Sequence, residues 1–158
     1  MMACDPNTSA PPRHMPAWGC GMVIPANKEA VMPDRAKDWL AQAVHDLEQA
    51  KASRDQGRHE WACFAAQQSA EKAIKALHLA LEQEAWGHVV ARLLAELPLT
   101  VDAALIEKGK VLDNFYIPTR YPNGHPEGAP FDHYGPLQSG EAIEYAGEIL
   151  EFVRAQMA

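Results

Sequence analysis

The chain of 158 residues lacks most of the signatures that would assign it a chemistry. It has three cysteines, Cys4, Cys20 and Cys63, with no Cys-x-x-Cys. That excludes a disulfide framework and a cysteine zinc site, and it points to a reducing, cytoplasmic setting. There is no Gly-x-Ser-x-Gly, P-loop or Gly-x-Gly-x-x-Gly, which removes the common hydrolase and nucleotide-fold motifs. Glu-x-x-His is also missing, so a di-iron carboxylate bundle is excluded by its own signature. His45, His59, His78 and His133 have no partner at metal-ligand spacing, and no metal or cofactor is expected. No apolar run reaches the length needed to span a membrane, and the N-terminus has no uninterrupted apolar segment of the signal-peptide kind. Alternating apolar and polar residues, the mark of a half-buried strand, are absent, as are internal repeats. Positive charge is scarce: 14 Lys and Arg against 21 Asp and Glu give a net charge of -7, which disfavours sequence-blind binding along a nucleic acid.

What is present is helix. Trp61–Leu81 is built almost wholly of strong helix formers and contains neither Gly nor Pro. At about 100° per residue, Gln67, Gln68, Glu71, Lys72, Lys75 and His78 gather on one arc, and Cys63, Ala66, Ala70, Ala73, Ile74, Leu77 and Ala80 fill the other. So wide an apolar arc needs neighbours on two sides, which predicts the central helix of a bundle. A first helix is expected from Asp34, its N-cap, to Arg54, with Ala36, Leu40, Ala43, Val44, Leu47 and Ala50 buried. The short connection around Gly57 makes it antiparallel to the second. A short third helix is expected after Gly87-His88, ending at Pro98. A fourth, capped by Thr100, runs to Tyr116, and a last one is capped by Ser139. Between the last two lies Ile117–Gln138, with five prolines. Residues 1–33 carry six prolines and no period, and are expected to form a flexible tail ahead of a domain at 34–158. The simplest account of that tail is an over-long reading frame, with a natural start near Met32.

Several residues recur in a familiar order: Trp39-x6-Asp46-Leu47, then Ala65-Ala66-Gln67-Gln68-Ser69-Ala70-Glu71-Lys72-Ala73-Ile74-Lys75-Ala76-Leu77, Gly87-His88 with Leu93-Leu94, Tyr116-x3-Arg120-Tyr121-Pro122, and Ala142-x3-Ala146-x2-Ile149. This pattern resembles the HEPN domain, of the prokaryotic kind often encoded beside a minimal nucleotidyltransferase. The resemblance covers about residues 34–155. It implies an all-α, up-and-down bundle of four long helices plus one short helix, and a homodimer. It also leaves the question of enzymatic activity open between two groups. Some members are metal-independent endoribonucleases, often toxins of toxin–antitoxin pairs, carrying Arg-x4–6-His. Others are non-catalytic and are thought to bind nucleotides or to serve the nucleotidyltransferase as partners.

Arg120-Tyr-Pro-Asn-Gly-His125 fits the catalytic spacing. A guanidinium can hold a scissile phosphate bidentately, and an imidazole can move a proton near neutral pH. Pro122-Asn123-Gly124 forms a turn that would place the two on its flanks. Two features depart from the ribonuclease members. Tyr121-Pro122 follows the Arg where a polar residue is usual, and Pro126 follows the His where a helix begins. Three readings follow. In the first, Arg120 binds the phosphate of a nucleotide or RNA, helped by Lys72 or Lys75, with Gln67 or Gln68 on a base or ribose and Tyr121 beside the Arg, and a nucleotidyltransferase is the partner. In the second, Arg120 and His125 cleave RNA. In the third, the domain is a non-catalytic helical dimerisation module, Arg120 only pinning its loop to carbonyls or a carboxylate. For the polar arc of the second helix the simpler expectation is a solvated face with a Glu71–Lys75 pair. His88 is expected to pack against or cap the third helix.

Overall fold

A computed structural model describes residues 35–158, and among these all regular structure is helical. The boundary at 33/34 and the proposed Asp34 cap lie outside the described residues. Helix α1 spans Ala36–Asp55 and α2 spans His59–Ala80. Between them Gly57 adopts φ 72°, which a residue with a side chain rarely does, and this lets the Arg58 N–H reach back to the Ser53 carbonyl at 2.8 Å. The chain therefore reverses. The Ser69 hydroxyl of α2 donates to the Ala43 carbonyl of α1 at 2.6 Å, and Lys75 lies over the Trp39 ring, so the pair is antiparallel as expected.

Helix α2 touches every other helix, the position its wide apolar arc predicted. Ala62, Ala66, Ala70 and Ala73 are fully buried, as are Ala43 and Ala50 of α1 and Ala142 and Ala146 of the last helix. Small side chains at these crossings let the backbones approach closely. Ile74, Leu77, Leu93, Leu94, Leu112 and Ile149 fill what remains, each worth about 1.5–3 kcal/mol of burial.

The other helices are α3 (Val90–Ala95), α4 (Ala103–Asp113), a single turn α5 (Pro130–His133) and α6 (Pro136–Met157). Three expected caps move. The start of α3 is held by Asp113, whose carboxylate accepts from the Val90 and Ala91 N–H groups at 2.6 and 3.2 Å. Asp102, not Thr100, caps α4 by accepting from Ala104 at 3.0 Å. Helix α6 begins three residues before Ser139, because Pro136 is suited to a first helical position. The Gln138 side chain accepts from Gly135 at 2.9 Å, while Ser139 is buried against His59 Nδ1 at 2.8 Å, tying α6 to the start of α2. Helix α5 was not expected: among the prolines of that segment, Pro130 opens a turn rather than preventing one.

Candidate functional site: an arginine in an aromatic cage

After α4 ends at Asp113 the chain makes irregular turns to Arg120. Buried Thr119 fixes their course, its hydroxyl donating to the Phe115 carbonyl at 2.6 Å. Half-buried Arg120 donates from Nε to the Tyr116 carbonyl at 2.8 Å. Its guanidinium carbon lies 4.3 Å from the ring centre of Phe64, 4.8 Å from that of Tyr116 and 5.1 Å from that of Tyr121. Three π faces hold the cation in place and leave its charge uncancelled. Among the described residues no carboxylate and no other hydrogen-bond acceptor reaches the Nη atoms, which are the pair that would grip a phosphate.

The expected turn forms: Pro122–Gly124 is one turn of 3-10 helix, with His125 N–H donating to the Pro122 carbonyl at 3.0 Å. Gly124 is needed for contact rather than for its dihedral, since a Cβ there would lie 2.8 Å from Pro118 Cα. The turn does not join Arg120 to His125 by any hydrogen bond. His125 bonds through Nε2 to the Pro118 carbonyl at 2.8 Å. Its ring stacks on His133 at 4.0 Å and meets Tyr134 edge-on at 5.8 Å. His133 in turn bonds the Glu127 carbonyl at 2.6 Å. Both imidazoles thus spend a nitrogen on fastening the proline-rich loop to itself. Tyr134, half-buried beneath them, has its hydroxyl pushed above its ordinary value, first by burial and then by the neighbouring Cys63.

The polar arc of α2 is not the solvated face the sequence suggested. Gln67 is 0 % exposed, His78 2 % and Glu71 4 %. Glu71 is a hub: its carboxylate receives Lys75 at 2.8 Å, His88 Nδ1 at 3.0 Å, Gln67 at 3.2 Å and Gln68 at 3.3 Å. Burial pushes its carboxyl up, but the bonds from Lys75 and His88, the Lys75 charge and Gln67 outweigh burial and hold it below its ordinary value. The expected Glu71–Lys75 pair is present, inside a network rather than in water. Lys72 is likewise paired, with Asp46 across the α1–α2 seam. Neither lysine brings a free charge to Arg120, and Gln67 is too deep to meet a ligand. His88 packs as expected, its ring stacked on Tyr116 at 4.7 Å, though the cap of α3 falls to Asp113.

Residues missed by the sequence reading adjoin this site. Trp61 packs edge-on to Phe64 at 6.1 Å, and both line a groove of about 450 Å³ between α1 and α2 with Gln49, Gln56, Arg58 and Gln68. The signal was available: Trp61 and Phe64 stand at helical spacing from Gln68, which the sequence had already singled out, on the edge of the apolar arc. Cys63 lies nearby but is fully buried, and burial, with Glu60 adding to it, pushes its thiol up to about 12, so it is packing rather than a nucleophile.

An all-helical bundle packed around α2 is the fold class. The HEPN domain profile matches residues 36–156, and the chain belongs to the HEPN domain family. It is similar to the crystal structure of TT1696 from Thermus thermophilus, with 52% identity and a TM-score of 0.77, covering 78% of this chain and 98% of that one. It is also similar to ST0689, an archaeal HEPN homologue, at 38% identity and TM-score 0.69 over 78% of this chain and 98% of that one. A HEPN domain protein (tm0613) from Thermotoga maritima matches at 31% identity and TM-score 0.61, over 75% and 95% of the two chains. No curated protein matches. Among the described residues no helix is long and apolar enough to cross a membrane.

Proposed function

We propose that this protein binds the phosphate of a nucleotide or RNA through Arg120 and acts as a HEPN partner of a minimal nucleotidyltransferase, as a homodimer. One observation carries the reading: a guanidinium oriented by three aromatic rings and a carbonyl, with its Nη atoms free among the described residues. The carbonyl bond through Nε pins the loop, but it leaves the Nη pair available, whereas Arg35, Arg54, Arg92 and Arg154 are each paired with a neighbouring carboxylate. Tyr121, half-exposed over the guanidinium, closes one side of the site. Lys72 and Gln68 line the neighbouring groove, held by Asp46 and Glu71, while Lys75 is paired with Glu71 and adds no charge to the site.

Binding is favoured over cleavage because His125 is engaged with Pro118 and His133 and shares no bond with Arg120. The test is equilibrium binding of nucleotides and short RNA, with RNA incubation in EDTA alongside. The expected result is affinity that falls at least tenfold in Arg120→Ala, with no cleavage and no effect of His125→Ala on binding. Metal-independent cleavage lost in both variants would replace this reading with the endoribonuclease toxin. Neither binding nor cleavage would leave a structural dimerisation domain.

A further inference from the structure

The groove that shares Phe64 with the Arg120 cage has the composition of a base pocket. We infer that the ligand is a nucleoside phosphate whose base lies between α1 and α2 on Trp61, with its phosphate at Arg120. This rests on the reading of Arg120 as the phosphate ligand and names what that phosphate is attached to.

Several observations converge. Trp61 is 46% exposed and lines the groove, so part of its indole is open to a ligand. A base offers the flat partner that an open indole lacks. The rings lead continuously to the cation: Trp61 meets Phe64, and Phe64 lies under the Arg120 guanidinium, so base and phosphate sites are joined by one intervening ring. The groove's volume of about 450 Å³ lies in the range of small-molecule pockets. Its polar lining is of the kind that reads a base edge. Among the described residues Gln56 has no side-chain partner, and Gln68 spends its Nε2 on Gln67 and Glu71, leaving its carbonyl oxygen without one. Carboxamides present donor and acceptor together, as base edges do. The groove also avoids the chain's acidic excess. Its single carboxylate, Asp46, is neutralised by Lys72, and Arg58 has no carboxylate partner among the described residues. An anion entering toward Arg120 therefore meets no uncompensated negative charge along this wall.

The experiment uses the full chain and three sets of probes: the four nucleoside 5′-monophosphates, ribose 5-phosphate, and a 5′-phosphorylated tetraribonucleotide. The expected result is that the best monophosphate binds at least tenfold tighter than ribose 5-phosphate. Trp61→Ala should collapse that ratio towards one and leave ribose 5-phosphate affinity within twofold. Trp61→Phe, which keeps a ring, should restore most of it and controls for folding. Arg120→Ala should weaken all probes. A tetranucleotide that binds more tightly than the monophosphates would make the source an RNA end, and equal affinity a free nucleotide; either supports the base pocket. Equal binding of ribose 5-phosphate and every monophosphate, or a ratio that survives Trp61→Ala, overturns the inference and leaves Arg120 as a phosphate ligand. Loss of binding for every probe overturns both.

Discussion

Among single residues, Glu71 has the largest consequence. Four side chains converge on one buried carboxylate, and two of them, Lys75 and His88, bring or can bring positive charge. Glu71→Ala would leave Lys75 beside Trp39 without its counter-ion, and it should lower stability by about 2–4 kcal/mol. The pH dependence follows from the depressed carboxyl. Its contribution is complete above the ordinary value of 4.5 and is lost as pH falls through the lower folded value. Denaturant titrations of wild type and Glu71→Ala should therefore differ most near neutrality and converge as pH drops below 4.5. A gap that stayed constant down to about pH 3 would show that Glu71 acts through packing alone. The same hub explains why Gln67, placed with the polar residues by periodicity, lies inside; His78 is buried with partners of its own, the Gln83 side chain at 3.1 Å and the Leu93 carbonyl at 2.9 Å. Once their partners are in place, burial costs them little.

At the scale of the element, the glycines of the helices separate packing from propensity. Gly109 on α4 faces α3 so closely that a Cβ would lie 3.1 Å from the Ala91 backbone. Gly109→Ala gains about 1 kcal/mol of helix propensity but must push two backbones apart, and thermal unfolding should show a net loss of about 1–2 kcal/mol. Gly147 in α6 has nothing within 4 Å of the same added atom. Gly147→Ala should stabilise by about 0.5–1 kcal/mol. Equal effects at both positions would mean that the α3–α4 crossing is looser than its geometry indicates.

At the scale of the whole molecule, charge sets how an anion is received. The net charge is -7, and the uncompensated positive charge described at the site is local, at Arg120 and Arg58. A ligand held by one or two phosphate contacts displaces few counterions. The slope of log affinity against log salt should therefore be shallow, about -0.7 for each phosphate engaged on a single strand. Short RNA and a mononucleotide titrated between low and moderate salt should give slopes no steeper than about -1.5. A steep slope would instead require a long basic track, which this surface lacks on composition.

The sequence by itself determined the bundle, because periodicity, alanine content and breakers act locally. It showed that α2 must be covered on two sides and that α1 turns back at Gly57. It showed that Pro122-Asn123-Gly124 must turn, and the residue order resembled the family that the profile match then showed. Tertiary structure alone decided which polar side chains were spent. Asp46 neutralises Lys72 from 26 residues away, Glu71 gathers His88 across 17, and His59 fastens Ser139 across 80. Among the described residues Arg120 has no ion-pair partner, because the groups that packed around it were rings and a carbonyl, not carboxylates. Spacing along a chain cannot report such pairings, since they depend on which faces of distant helices meet.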